Sequence, residues 1–250
     1  MNVDSDQSRR FTSVERRQAW AVHVFTTSGI VVGMLALQAV LEHRATAAMI
    51  LLLVTQVIDG IDGPMARATD VKQRIPKIDG YVLDLVIDFV TCVVVPIAFI
   101  YKFHLLPSSM SVALMGLAVF SAAIWFSRTD MMTDDYWFRG FPATWNLVAP
   151  SLYLLHANHV ESAVVVVVLS LASLSDIPFP HPVRVVWMRP ITLSITVTWL
   201  ATMTLEIAAE TRTPDRLRVL LLLAPLAFVA LSIAKMLGLD DYAMAAGSSE

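Results

Sequence analysis

The sequence is poor in charge and in cysteine, and both shortages exclude classes of protein. Only 16% of its 250 residues are charged, whereas soluble domains carry about 25%. The net charge of −3 leaves no basic surplus for nucleic acid, so no nucleic-acid partner is expected. The single cysteine, Cys92, cannot form an intrachain disulfide, and zinc sites built on Cys-x2-Cys pairs are excluded as well.

Long apolar runs are what the sequence has in abundance. It is 56% hydrophobic with a mean hydropathy of +0.65, which indicates an integral membrane protein. A helix needs about 20 residues to cross roughly 30 Å of hydrocarbon. The runs predict an all-α polytopic membrane protein with about eight transmembrane helices, and the β-branched run at 163–174 is included because a lone strand in lipid would leave its backbone unpaired. The predicted spans are 19–42, 45–62, 81–101, 110–127, 144–157, 160–176, 190–209 and 217–237.

Basic residues predict the orientation of these spans. With the N-terminus inside, 13 of the 18 Lys and Arg residues fall on the cytoplasmic side and 5 fall outside, as the positive-inside rule requires. Both termini are then cytoplasmic. We expect a cytoplasmic segment over 1–18, either an amphipathic surface helix or a solvated flank, followed by a single membrane domain over 19–237 and a tail over 238–250.

The segment 59–88 carries six aspartates between two apolar runs, at the predicted cytoplasmic ends of the second and third spans. An aspartate at the centre of a transmembrane helix costs about 2.5–3.5 kcal/mol, so these residues need a partner. Asp59 and Asp62 are three residues apart, and Asp84 and Asp88 are four apart, so each pair shares one helix face. If the faces meet, four carboxylates converge and need cations between them. Hard oxygen ligands suit Mg²⁺, Mn²⁺ or Ca²⁺, and four carboxylates can hold two ions that clamp phosphates.

Small residues and an arginine accompany the carboxylates. Gly63, Ala66 and Gly80 leave room for a bulky ligand near the backbone, and Arg67 can bind a phosphate through two parallel hydrogen bonds. Pro64 removes one helical hydrogen bond and predicts a kink or an end of the second span there. Together these residues predict a diphosphate site.

The spacing of these residues resembles the signature of the CDP-alcohol phosphatidyltransferases. The interval between Arg67 and Gly80 is longer than in most of the family, and in this the chain is similar to the bacterial phosphatidylcholine synthase branch. Three further stretches resemble that branch: "AWAVHVFTTSG" (19–29), "FRGFPATWN" (138–146) and "HPVRV" (181–185). The matching signature positions are Asp59, Asp62, Gly63, Ala66, Arg67, Gly80, Asp84 and Asp88.

This resemblance implies a reaction, in which CDP-diacylglycerol and choline give phosphatidylcholine and CMP with Mn²⁺ or Mg²⁺, as two ions. It also implies a homodimer in the bacterial inner membrane, with a catalytic site that faces the cytoplasm. Carried over residue by residue, Asp59, Asp62 and Asp84 are metal ligands, Asp88 is a ligand and the catalytic base, Gly63 and Ala66 accommodate the nucleotide, Gly80 leaves room for substrate, and Arg67 binds phosphate.

A choline site is expected to be aromatic, because a quaternary ammonium donates no N–H hydrogen bond and is bound by ring faces. The cytoplasmic loop 134–146 holds five aromatic residues, and Tyr136 and Trp145 are the predicted walls. Tyr81, directly after Gly80, is another candidate. An interfacial aromatic belt would explain the same loop without choline.

Other interpretations remain open at this point. Asp79 is expected to cap the third span, and His23 and His181 are expected to be packing residues. The same chemistry could serve another alcohol, such as glycerol 3-phosphate, inositol phosphate or serine. A transporter with a carboxylate relay is a different class, but a relay needs no glycine, alanine and arginine at these spacings.

Overall fold

The computed structural model describes residues 11–185, 188–209 and 215–239, and this part of the chain is almost entirely helical, as predicted. Its elements are α1 (Ser13–Leu41), α2 (Ala45–Ala68), α3 (Val71–Arg74), α4 (Gly80–Lys102), α5 (Ser111–Phe126), β1 (Trp137–Arg139), α6 (Trp145–Leu154), α7 (His159–Ser173), β2 (Pro178–Pro180), α8 (Arg189–Ala209) and α9 (Asp215–Met236).

Five of the described helices are long and apolar enough to cross a membrane: α1, α2, α4, α8 and the Leu217–Met236 part of α9. The chain is therefore a helical membrane protein. Every one of the eight predicted segments contains a helix. However, α5, α6 and α7 have only 16, 10 and 15 residues, because turns occupy the ends of these apolar runs.

The helix ends follow local chemistry. Thr12 and Glu15 form a capping box at the start of α1, so the predicted N-terminal segment is continuous with α1 from Ser13 onward. Residues 1–10 and 240–250 lie outside the described residues. The Asp79 carboxylate accepts hydrogen bonds from the backbone N–H groups of Tyr81 (3.0 Å) and Val82 (3.3 Å), which confirms its predicted role as a cap.

Of the two alternatives predicted at Pro64, an end of α2 is wrong, because the helix continues to Ala68, and a kink stays a prediction. A proline within a helix removes a single N–H donor, and at this position it lies in the last turns, where little helix remains to be disrupted. The extra turn is what keeps Ala66 and Arg67 on the same helix as Asp59 and Asp62.

Close packing of α1 against both α2 and α4 brings the two carboxylate-bearing helices, α2 and α4, together. A Cβ atom on Gly33 would lie 2.8 Å from Cγ2 of Thr91, so the helices could not approach this closely with a larger residue there. Nearer the predicted cytoplasmic end, a Cβ on Gly80 would lie 3.4 Å from the His23 ring. The α1 helix also packs along α2, so it is a common support for both carboxylate pairs.

Helix α4 has a six-residue π-helical turn, Phe89–Val94, which begins directly after Asp88. Such turns are rare and are frequent at functional sites. Thr91 within the turn still shares a small cavity with Asp84 and Asp88, so the predicted polar face of this helix is preserved through the irregular turn.

The strands β1 and β2 form a small antiparallel sheet with Phe138 opposite Phe179. Gly140 follows β1 with a φ of +83°, and a Cβ there would lie 2.8 Å from two backbone carbonyl oxygens. This sheet joins the loop after α5 to the segment after α7. Residues 181–185 follow β2 directly, so the position of the sheet determines where they begin. Within them, Arg184 reaches Gly63 near the end of α2.

Candidate active site

Three of the predicted ligands form a compact carboxylate cluster. Asp59 on α2 and Asp84 and Asp88 on α4 each offer one oxygen, and these oxygens all lie within 4.8 Å of one another. Within the described ranges, none of the three forms a salt bridge with lysine or arginine. Like charges gathered without a salt bridge to a basic side chain fit a divalent cation, and carboxylate oxygens are the ligands that Mg²⁺ and Mn²⁺ prefer.

The fourth predicted ligand, Asp62, lies beside this cluster and not within it. Its side chain is 6% exposed, and it lines the same small cavity as Asp59, Asp84 and Asp88. The Thr26 hydroxyl on α1 faces its carboxylate. Asp62 also borders a much larger cavity, so it stands between the carboxylate cluster and the space where a substrate would fit.

That larger cavity has a volume of about 600 Å³ and opens between α1, the end of α2 and the start of α4. Ligand sites typically have volumes of about 300–1,000 Å³, so a nucleotide fits. The cavity brings together the predicted small residues and the predicted arginine, and His23, Lys72 and Tyr81 join them. The signature residues that line it are Asp62, Gly63, Ala66, Arg67, Gly80 and Asp84.

A second arginine, Arg184, reaches this site, although residue spacing did not single it out. A Cβ placed on Gly63 would lie 3.3 Å from an Nη atom of Arg67 and 3.9 Å from an Nη atom of Arg184. Arg184 also acts electrostatically on Asp59 and Asp84. In the described part of the chain, neither guanidinium forms a salt bridge with a carboxylate. Arg67 and Arg184, two exposed cations beside Gly63, therefore form a candidate anion-binding site.

His181, three residues before Arg184, is a hydrogen-bonded packing residue, as predicted. Its ring stacks on Phe138 at 5.1 Å and 19°, and its Nδ1 accepts a hydrogen bond from the backbone N–H of Val183 (3.1 Å). Burial, together with the positive charges of Arg184 and Arg67, lowers the pKa of His181 to about 4. The ring is therefore neutral at pH 7, with its proton on Nε2.

His23 is buried and lines the large cavity, with its ring edge against Gly80. Its Nε2 has no hydrogen-bond partner among the described residues. His23 was predicted to be a hydrogen-bonded packing residue: its burial is confirmed, but its Nε2 has no such hydrogen bond in the described part of the chain and remains available to a ligand in the cavity.

The prediction that Trp145 forms a wall of a choline pocket is not supported by its position. Its side chain is 0% exposed and packs edge-to-face against Phe141 in the main core, because the start of α6 is buried on all sides. Tyr136 is 40% exposed in the loop before β1, but it does not line the large cavity. Tyr81 is 57% exposed and does line it, next to Asp84.

Gln56, one turn before Asp59, was also missed by sequence reasoning. Its amide nitrogen donates a hydrogen bond to the Asp59 carboxylate over 3.2 Å. The spacing of three residues within a helix could have signalled this contact, but a lone glutamine in an apolar run does not stand out.

Comparison with known proteins decides the family. The sequence model of the CDP-alcohol phosphatidyltransferases matches residues 21–174. The chain belongs to the CDP-alcohol phosphatidyltransferase family. The match covers α1 to α7 almost completely and contains all four carboxylates, whereas His181 and Arg184 lie beyond it.

Several relatives are phosphatidylcholine synthases. The enzyme of that name from Pseudomonas aeruginosa is 36% identical over 189 residues, which is 76% of this chain and 79% of the relative. The one from Rhizobium meliloti is 38% identical over 191 residues, 76% of this chain and 79% of the relative. The one from Bradyrhizobium diazoefficiens is 45% identical over 189 residues, 74% of this chain and 69% of the relative.

Proposed function

We propose that the protein is a phosphatidylcholine synthase, which transfers the phosphatidyl group of CDP-diacylglycerol to choline and releases CMP. The observation that carries this proposal is the cluster of Asp59, Asp84 and Asp88 beside a nucleotide-sized cavity that displays the family's small residues and arginine. The choice of choline rests on the names of the relatives.

Asp59, Asp62, Asp84 and Asp88 would hold the divalent cations, Mn²⁺ or Mg²⁺, with two ions as the expected number. The carboxylate cluster supports this assignment, because its oxygens converge without a salt bridge to a basic side chain among the described residues. When bound, the ions neutralise the diphosphate and stabilise the charge that develops on the leaving CMP.

Asp88 is the proposed general base. It accepts the proton of the choline hydroxyl as the hydroxyl oxygen forms a bond to the phosphatidyl phosphorus. The bond between that phosphorus and the oxygen that bridges to CMP breaks with its electron pair, so CMP leaves as an anion. The reaction is a direct displacement and needs no covalent enzyme intermediate.

Arg67 and Arg184 are proposed to bind the diphosphate from two sides of Gly63. Guanidinium groups form charge-assisted hydrogen bonds to phosphate, often through two N–H groups at once. Gly63, Ala66 and Gly80 provide the space that lets the nucleotide approach the backbone. Arg184 would thus be a substrate-binding residue beyond the family signature.

Choline is proposed to bind against the ring of Tyr81, within reach of the carboxylates that line the same cavity. A ring face and nearby negative charge are the groups that bind a quaternary ammonium. Tyr136 remains a second candidate at the edge of the site, through its exposed ring in the loop before β1. A phosphorylated acceptor would instead require further basic residues beside Tyr81.

The membrane arrangement is part of the same proposal. About eight helices would cross the bacterial inner membrane, with both termini and the carboxylate site on the cytoplasmic side, where CMP and choline are soluble. The distribution of Lys and Arg supports this orientation. The functional unit would be a homodimer.

The test is a reaction of purified protein with CDP-diacylglycerol, Mn²⁺ and a panel of alcohols that includes choline, ethanolamine, serine, inositol phosphate and glycerol 3-phosphate. CMP release and the lipid product are measured for each. We expect CMP only with choline, in equal amounts to phosphatidylcholine. Release with another alcohol and none with choline would overturn the acceptor assignment, and no CMP with any alcohol would overturn the activity.

A further inference from the structure

We infer that Asn146, acting through Gln56, holds the Asp59 carboxylate in the orientation in which it binds a metal ion. Asn146 is thus a positioning residue, outside the carboxylate signature. The inference rests on the proposed metal site, but it does not depend on which alcohol the enzyme uses.

The chain of contacts is short and direct. Asn146 Nδ2 donates a hydrogen bond of 2.8 Å to Gln56 Oε1, and Gln56 Nε2 donates one of 3.2 Å to Asp59 Oδ2. This chain of hydrogen bonds starts on α6 and ends on α2, and Asn146 and Gln56 are 90 residues apart in the sequence. One carboxylate oxygen of Asp59, Oδ2, is therefore held by a hydrogen bond from the protein.

Chemistry allows only one arrangement of these amides. An ionised carboxylate only accepts hydrogen bonds, so Gln56 must turn its NH₂ group towards Asp59. Its carbonyl oxygen then faces away and needs a donor, which the NH₂ group of Asn146 supplies. Asn146 thereby fixes the orientation of the Gln56 amide, and the Gln56 amide in turn donates a hydrogen bond to the Asp59 carboxylate.

The position of Asn146 argues against a role in stability alone. Its side chain is 1% exposed, and its Oδ1 has no hydrogen-bond partner among the described residues. A buried polar group that lacks a partner lowers stability, so an apolar residue would suit this place better if packing were its purpose. The hydrogen bond to Gln56 is the property that an apolar residue would lose.

Groups that orient a metal ligand are part of the site, and their loss typically weakens metal binding about 10–100-fold. The substitution that separates orientation from packing is Asn146→Asp. It keeps the shape but offers only oxygen to Gln56. Gln56 would then turn its NH₂ group towards residue 146 and present its carbonyl oxygen to Asp59, which would repel the carboxylate. Asn158→Asp is the matched control, because Asn158 caps α7 and aspartate caps equally well.

The experiment is a titration of the purified full chain with Mn²⁺, in which the electron paramagnetic resonance signal of free Mn²⁺ reports binding without substrate. We expect Asn146→Asp, Asn146→Leu and Gln56→Leu each to raise the dissociation constant about 10-fold or more, while Asn158→Asp leaves it unchanged. The double variant Gln56→Leu/Asn146→Leu should bind Mn²⁺ no more weakly than Gln56→Leu alone, because both changes break one chain. Thermal unfolding without metal should change little for Asn146→Leu.

Two results would overturn the inference: native Mn²⁺ affinity in either Asn146→Asp or Gln56→Leu, or losses that multiply in the double variant. Absence of Mn²⁺ binding by the unaltered chain would overturn the inference together with the metal site. Normal Mn²⁺ binding without choline turnover would overturn the proposed acceptor alone and leave the inference intact.

Discussion

The carboxylates of Asp59 on α2 and Asp88 on α4 offer oxygens within 4.8 Å of each other, although neither forms a salt bridge with a basic side chain in the described ranges. Two negative charges at this distance in a membrane protein repel strongly unless a cation lies between them. Helices α2 and α4 are held in this arrangement by their packing against α1, which approaches α4 closely at Gly33.

The repulsion among the clustered carboxylates predicts what happens when one of them is removed. Asp84→Ala should abolish CMP release, because a metal ligand is missing, yet the melting temperature without metal should not fall, since one of several crowded charges is gone. Chelator should abolish the activity of the unaltered protein, and added Mn²⁺ or Mg²⁺ should restore it. Asp134→Ala, in an exposed loop, is the control and should keep full activity. Full turnover in excess chelator would contradict the metal site.

Asp88→Asn tests whether Asp88 acts as the general base or only as a metal ligand. The substitution preserves size and one oxygen but removes basicity, so turnover should fall by about 10²–10⁴-fold, the usual contribution of a general base. Binding of CDP-diacylglycerol, measured without choline, should be largely retained. Near-native turnover in this variant would show that another group accepts the proton.

Arg184→Ala should raise the KM for CDP-diacylglycerol and leave the KM for choline unchanged. A hydrogen bond to a charged group contributes about 1.5–3 kcal/mol, which corresponds to about 10–100-fold in affinity. Arg184→Lys should recover only part of the loss, because lysine lacks the planar fork of arginine. Arg44→Ala, between α1 and α2, serves as the control. Unchanged kinetics for both substrates in Arg184→Ala would remove this residue from the site.

Tyr81→Ala should raise the KM for choline severalfold, up to about 30-fold, since a good cation–π contact is worth about 0.5–2 kcal/mol. Tyr81→Phe keeps the ring and should stay close to the unaltered protein. Tyr101→Ala, which removes another exposed tyrosine further along α4, should affect neither substrate. If the KM values for choline and CDP-diacylglycerol rise together in Tyr81→Ala, the ring supports the cavity without binding choline.

Trp145→Ala tests whether this buried tryptophan supports the core or lines the choline site. A fully buried aromatic that is cut back to alanine costs about 3–5 kcal/mol of stability, so the melting temperature should drop clearly. Any kinetic loss should affect both substrates in proportion to the folded fraction. A selective loss of choline binding by well-folded Trp145→Ala would return this residue to the choline site.

Local pattern was sufficient for the helices and for much of the site. Apolar length placed a helix in each predicted span, because in lipid every backbone group must be satisfied within its own segment. The spacing of Asp59, Asp62, Asp84 and Asp88 predicted two carboxylate faces, and Asp79 was predicted as a cap from its position before an apolar run. These features depend on neighbours a few residues apart, so the sequence by itself determined them.

Contacts between distant segments were decided only by the tertiary structure. The grouping of three carboxylates with Asp62 beside them depends on how closely α2 and α4 pack against α1, where Gly33 leaves no room for a larger residue beside Thr91. The burial of Trp145 and the hydrogen bond from Asn146 to Gln56 depend on where α6 enters the core. Arg184 reaches Gly63 because the β1–β2 sheet directs its segment there. Each of these contacts depends on how whole helices and strands pack, and the spacing of residues along the sequence does not determine that packing.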